Sequence, residues 1–183
     1  KHISTNLEVI YLNLGVAYSF EKNYEKAKLW IRRYLKENIR KYGEEHIEVA
    51  VSYYHLSRVE LWEGNAKQGL EFNTQALNML LPDSLSNITS LSIQEVLYGS
   101  ASNVIRILNL RSEIFLLQYQ QTNDSEFLYK AKKNQYMTLD LLDSWFFQEL
   151  NRSSHQNIQT ANQDVYKICQ EILYMLYRET DSS

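Results

Sequence analysis

The stretch LGVAYSFEKNYEKA, Leu14 to Ala27, decides how this chain is read. A Leu-Gly pair is followed three residues later by Tyr18, then by Asn23-Tyr24 and Ala27. The same plan returns in LSRVELWEGNAKQG, Leu56 to Gly69. With the chain shifted by 42, Val9 meets Val51, Tyr11 meets Tyr53, Leu14 meets Leu56, Gly15 meets Ser57 and Asn23 meets Asn65. Further on, Ala27 meets Gly69, Trp30 meets Phe72 and Leu35 meets Leu77. Small residues face small ones and aromatics face aromatics. A fixed period of this size is the mark of a repeat architecture.

Each position has a physical reading. Val9, Leu12, Val16 and Ala17 stand near helical spacing and predict one apolar helix face. A glycine inside a helix costs roughly 1 kcal/mol relative to alanine, so Gly15 and its counterpart Ser57 predict close approach of a neighbouring helix. Asn23 and Asn65 fall where one helix stops and the next begins. Asn is a favoured N-cap, and Asn65-Ala66-Lys67-Gln68 has the spacing of a capping box. Ala27 and Gly69 are small again, on the second helix facing the first. One hairpin of this kind cannot bury its own apolar face, so copies must stack.

The bulk numbers agree with helices. The chain has 183 residues, 44% of them hydrophobic, enough for a sizeable core. A single proline, Pro82, and five glycines leave too few breakers for a β-sandwich or for glycine-rich βα turns. Net charge is -3 with acids and bases interspersed, which predicts no nucleic-acid partner. No apolar run approaches the roughly 20 residues that span a bilayer, so no membrane partner is expected. The opening Lys1-His2-Ile3-Ser4 has neither a basic nor an apolar leader region and reads as a piece cut from a larger protein. The single cysteine, Cys169, rules out an internal disulfide and suits a cytoplasmic location. Asn-x-Ser/Thr triplets at Asn87, Asn123 and Asn151 are read as chance in an Asn-rich chain rather than as glycan acceptors.

The repeat resembles the tetratricopeptide repeat (TPR). Its pattern maps onto Tyr11, Leu14, Gly15, Tyr18, Asn23-Tyr24 and Ala27. It maps again onto Tyr53, Leu56, Ser57, Asn65, Gly69 and Ala76, with Pro82 just past the end. Glu60 stands where Tyr is usual, and Gly69 where Ala is usual. The period exceeds the common ~34 residues and is similar to the longer variety of kinesin light chains and many bacterial sensor proteins. The resemblance implies an all-α, superhelical solenoid of antiparallel helix hairpins forming one domain over 1–183. Its expected parts are a first repeat at 7–42, a second at 46–82, a longer third pair at 92–151 and the start of a truncated fourth at 157–183.

Beyond Asn87 the register is lost. Residues 84–92 are polar and read as a loop, and Ser92-x-x-Glu95 predicts a new helix start. That helix is expected to run to about Gln121, a second from Glu126 to about Asn151, and a last from Asn157 to Arg178. The pattern carried by Tyr119, Thr122, Asp124, Leu128, Ala131, Leu142, Asp143, Tyr166, Leu176, Tyr177 and Thr180 resembles bacterial proteins in which a TPR array precedes a CHAT domain. CHAT is a caspase-like cysteine protease fold. That resemblance implies a sensor or scaffold arm whose protease domain lies beyond Ser183.

No catalytic constellation is visible in the chain, and it is read as a non-enzyme. Cys169 sits mid-helix among apolar residues, where a buried inert thiol is expected. His2, His46, His55 and His155 are scattered, His46 at a helix start and His55 facing a possible groove. No His or Cys spacing suits a metal, and no glycine loop suits a phosphate, so no metal or cofactor is expected. The acidic pairs Glu44-Glu45 and Asp140/Asp143 read as solvated helix faces.

Binding is the favoured activity. By the TPR resemblance, the first helix of each repeat lines a concave surface that takes a protein or peptide partner. The inward positions so implied are Val9, Leu12, Val16, Ser19 and Phe20, then Val51, Tyr54, Arg58, Leu61 and Trp62, with Asn109 and Glu113 in the third pair. Tyr54, Arg58 and Trp62 form an i, i+4, i+8 ladder of residue types enriched at binding hot spots. Packing of Trp62 into the core between repeats is the competing reading. The groove offers one Arg and otherwise apolar groups, which argues against an acidic C-terminal tail as ligand. Two other functions stay open: a signal-peptide or small-ligand receptor of a regulator, and a structural assembly scaffold. Self-association through exposed solenoid ends is expected to accompany the last.

Overall fold

The computed structural model describes residues 7–81, 101–149 and 155–181, with side chains described through 145 and again over 163–179. The chain is all-α: among the described residues there is no strand. It divides into two compact units, Lys1–Leu80 and Leu81–Ser183.

The first unit holds α1 (Leu7–Phe20), α2 (Tyr24–Tyr42), α3 (Ile47–Glu63) and α4 (Ala66–Leu80). α1 pairs antiparallel with α2, α3 with α4, and α2 packs on α3. These are the antiparallel helix hairpins that the repeat predicts, and Gly15 shows why the first one closes. A Cβ there would lie 2.5 Å from Cγ1 of Ile31 on α2, so only glycine lets Ile31 seat. In the second hairpin Ser57 uses the equivalent position differently. Its hydroxyl donates to the Gly69 carbonyl across the pair at 2.8 Å. Ala27, Ile31, Leu56 and Val59, with Tyr18, Tyr24, Leu35, Tyr53 and Phe72 against them, make one core drawn from both hairpins. Neither hairpin could bury those groups alone.

The predicted apolar face of α1 is not the buried one. Val9 and Ala17 are exposed, and Leu12 and Val16 are half-buried. Instead α1 turns the Tyr11, Gly15 and Tyr18 side to α2. Tyr11 meets the Trp30 ring at 5.7 Å between centroids, and Gly15 meets Ile31.

The two turns share a shape and differ in capping. α1 ends with Lys22 in the left-handed region at φ 59°, and α3 ends with Gly64 at φ 91°. Asn23 Oδ1 accepts from the Lys26 amide at 3.3 Å and caps α2. Asn65 does not form the predicted capping box. Its Nδ2 donates to Glu60 at 2.9 Å and to Glu63 at 2.7 Å, while Gln68 bonds Glu71. Glu60, the departure from the usual Tyr, and Glu63 both accept from the side-chain amide and turn it toward the end of α3.

α2 grips α3 through polar groups. Lys28 of α2 lies 2.8 Å from Glu63, 3.1 Å from Glu25 and 3.8 Å from Glu60. Burial opposes its charge, but the bonds to Glu63 and Glu25 and the field of Glu60 outweigh that and hold the ammonium above the ordinary lysine range. Further along, the Tyr34 hydroxyl donates to Glu48 at 2.6 Å; burial and that carboxylate push the phenol up. Asn38 Nδ2 donates to the Glu48 carbonyl and to Ser52 Oγ, at 3.3 and 3.1 Å. His46 caps α3, its Nδ1 accepting from the Glu48 amide at 3.2 Å, with Tyr42 stacked on the ring.

The second unit holds α5 (Ala101–Thr122), α6 (Ser125–Glu149) and α7 (His155–Asp181). The predicted loop at 84–92 and the Ser92-x-x-Glu95 helix start lie outside the described residues, as does Pro82. The α5–α6 turn has Asn123 at φ 55°, and Asp124 accepts from the Glu126 amide at 2.9 Å. Asn134 of α6 repeats the Asn38 device: its Nδ2 bonds the Leu108 carbonyl at 2.6 Å and Ser112 Oγ at 2.8 Å, one turn apart on α5. Gln135 Nε2 reaches Asn109 Oδ1 on α5 and the Val165 carbonyl on α7, joining three helices. Cys169 is half-buried rather than buried, because Val165, Ile168 and Ile172 take the inward side of α7.

Candidate interaction face

In the first unit the ladder on α3 is assembled. The Arg58 guanidinium stands 4.8 Å from the Trp62 ring centroid and 5.7 Å from that of Tyr54. Spacing of four residues puts all three on one side of the helix, and two aromatic faces each attract the cation. Phe20, at the end of α1, lies 5.8 Å from Trp62 between ring centroids. Phe20 is 73% exposed and Trp62 37%, so a patch of two aromatic rings and a cation opens to water. Trp62 therefore serves partly as packing for Phe20 and partly as surface. Arg58 Nε is shielded from water with no hydrogen-bond acceptor, while the rest of the side chain is half-exposed.

The other residues placed on this face by sequence divide. Leu12, Val16, Val51 and Leu61 are half-buried beside the patch, and Val9 is exposed near the start of α1. Ser19 is buried, its hydroxyl donating to the Gly15 carbonyl at 2.8 Å, so it offers no polar atom to a ligand. That bond is satisfied within the helix, a common fate of a helical serine. His55, read as a groove residue, is buried with its ring edge-on to Tyr54.

In the second unit Asn109 is buried and Glu113 half-buried on α5, and Asn109 Nδ2 donates to Glu113 at 3.3 Å. With Gln135 Nε2 on its oxygen, Asn109 connects α5 to α6. Arg111, which sequence reading passed over, is half-buried against Phe115, and burial pulls its guanidinium below the ordinary range. Among the described residues no group of three His, Cys, Asp or Glu side chains is placed to hold a metal ion, and no helix is long and apolar enough to cross a membrane.

No family model matches the chain, and no curated protein matches it. Two solved structures of a kinesin-light-chain-like protein of Podosopora anserina, described as having nearly identical TPR-like repeats, align along its length. A single-residue variant of that protein gives a TM-score of 0.39 at 15% identity, covering 98% of this chain and 99% of the other. The second gives 0.37 at 16% identity, covering 91% and 90%.

Proposed function

We propose that this chain is a protein-interaction module that captures a peptide segment of a protein partner on the α1/α3 face of its first unit. The observation that carries this reading is the Arg58 guanidinium held between Tyr54 and Trp62, with the exposed Phe20 beside them. Aromatic and arginine side chains that are already oriented lose little freedom on binding, which is why they dominate interface energies. The patch supplies apolar area with one cation, and it suits a segment with apolar residues flanking a carbonyl or carboxylate. Panning a displayed library of random peptides on the chain tests this. Enriched peptides should lose about tenfold or more in affinity when Arg58 or Trp62 is changed to Ala, as hot-spot truncation does. Peptides that bind both variants as well as the native chain would refute the assignment.

The finer reading is a sensor or scaffold arm of a parent with a downstream CHAT domain, supported by the Tyr119, Thr122, Asp124 and Leu176, Tyr177, Thr180 pattern. Its test is the open reading frame beyond Ser183. A segment with a His and a Cys following a hydrophobic strand supports it, and a stop codon or a different effector domain overturns it.

A further inference from the structure

The net charge of -3 conceals a strongly polar distribution. α2 carries seven Lys and Arg against two Glu, a net of +5 on one helix of a chain that is acidic as a whole. Three of the seven are locally neutralised: Lys28 by Glu25, Glu60 and Glu63, Arg40 by Glu37, and Lys41 by Glu8. The remaining four, Lys26, Arg32, Arg33 and Lys36, are exposed and form no ion pair among the described residues. Lys26 rests over the Tyr18 ring at 5.2 Å and Arg33 over Trp30 at 4.4 Å, contacts that hold the stems in place without cancelling the charge.

The stripe has helical order. Lys26, Leu29, Arg33 and Lys36 follow one another at three or four residues and span about 15 Å at 1.5 Å per residue, and Arg40, paired with Glu37 on the same side, lies one turn beyond. This is the side opposite Ala27, Ile31, Tyr34 and Asn38, which α2 buries against its neighbours. Leu29 sits in the middle of the cations and is 48% exposed.

We infer that the outward face of α2 is a second docking surface, and that its occupant is an acidic amphipathic helix of a protein partner. The charge calls for a polyanion, and Leu29 selects among them. A nucleic-acid backbone offers nothing apolar to cover a leucine ringed by phosphate-seeking cations. A membrane-bound helix needs a broad apolar face directed at the acyl chains, whereas α2 turns its apolar residues inward. An acidic helix fits both features. Its Asp and Glu recur at the same three- and four-residue spacing as the cations, and one apolar residue among them covers Leu29. This surface is separate from the Arg58 patch, so each can fail without the other.

The test uses the full chain and three fluorescent or sedimentable probes. One is a synthetic peptide of about 18 residues, roughly five helical turns, with Glu at every third or fourth position around a single Leu. The others are a single-stranded oligodeoxynucleotide and phosphatidylcholine vesicles containing phosphatidylserine. The peptide should bind with an affinity that falls as salt rises from about 50 to 200 mM. Arg33→Glu with Lys36→Glu should weaken it about tenfold or more. Leu29→Ser should weaken the peptide about fivefold, as expected for covering the exposed half of one apolar side chain, and leave any oligonucleotide binding unchanged. All three positions are exposed, and far-UV circular dichroism confirms that the variants fold. The proposal is overturned if the charge reversal leaves peptide binding unchanged, or if no probe binds. It is equally overturned if oligonucleotide or vesicles bind more tightly than the peptide and ignore Leu29→Ser, or if the reversal abolishes self-association in sedimentation, which would make the occupant a second copy.

Discussion

Lys28→Met removes a charge at the junction of α2 and α3 and leaves the length of the side chain nearly intact. The ammonium has carboxylate oxygens at 2.8, 3.1 and 3.8 Å from Glu63, Glu25 and Glu60. Their shares differ with solvation. The Glu25 side chain is 85% exposed and its pairing is worth little. Glu60 is 5% exposed, so its attraction is screened least. A pair near 4 Å attracts by about 4 kcal/mol at an effective dielectric of about 20, and the desolvation of the lysine returns a large part of that. The expected net loss is about 2–3 kcal/mol at pH 7. It comes mostly from leaving Glu60 buried beside Glu63 with Asn65 as its remaining donor.

Three measurements separate this account from a simple packing defect. Urea unfolding followed by tryptophan fluorescence and by circular dichroism gives the loss. A loss of charge pairing, unlike a cavity, responds to ionic strength, so the deficit should change as salt is raised from about 50 to about 500 mM. Glu60→Gln in the Lys28→Met background should recover about 1–2 kcal/mol, because the uncompensated charge is gone. The native chain has its own signature at the other end of the scale. The folded state holds the Lys28 proton more tightly than the ordinary value of 10.5, so the contribution of the cluster is complete below that pH and is lost as pH rises through the elevated folded value. A midpoint unchanged by Lys28→Met, or a double variant no more stable than the single one, would refute the reasoning.

Gly15→Val drives a branched side chain into the place of Ile31, where a Cβ alone already falls at 2.5 Å, and should cost about 2–3 kcal/mol in thermal or urea unfolding. Gly64→Ala forces a Cβ into a φ of 91°, although nothing crowds it there, and should cost about 1 kcal/mol by the same assay. Asn134→Leu discards two buried bonds, to the Leu108 carbonyl and Ser112 Oγ, and should cost about 2–3 kcal/mol. Hydrogen exchange should then show the amides of α5 around Leu108 opening faster than those of α3 in the first unit.

What could be read from the sequence was what is local and repeated. The Gly15 and Ser57 positions, the Ala27 and Gly69 positions and the Asn23 cap each depend on residues no more than 16 apart, so a shift of 42 exposes them. The hairpins follow from those contacts. The failures have a common cause, which is competition from a group that the pattern does not weigh. Asn65 has the spacing of a cap, but Glu60 takes its amide. Ser19 has the spacing of a groove residue, but the carbonyl of Gly15 takes its hydroxyl. Asn109 has the same fate through Gln135, 26 residues away, a separation that no local motif spans. The ladder Tyr54, Arg58 and Trp62 was legible because it lies on one helix. The contact of Phe20 with Trp62 was not, since it needs the angle between two helices.

The basic stripe of α2 escaped for a different reason. Along the chain its cations are separated by Glu25 and Glu37 and by apolar residues, so acids and bases look mixed. Around the helix the unpaired cations gather on one side, with Glu37 neutralising Arg40 at its end. Residues 27, 31, 34 and 38 turn inward, and that leaves 26, 29, 33, 36 and 40 together outside. The hairpin therefore creates the stripe, by choosing which side of α2 it buries. The same choice decouples the two candidate surfaces. The Arg58 patch belongs to the first helices of the hairpins, while the stripe lies on the side of α2 opposite its buried residues. Substitutions on surfaces that share no partner should act additively. In a chain carrying both Arg33→Glu and Trp62→Ala, each peptide should thus lose only what the substitution on its own surface costs it, the other adding nothing. A departure of more than about 0.5 kcal/mol from that loss would mean that one partner bridges both faces.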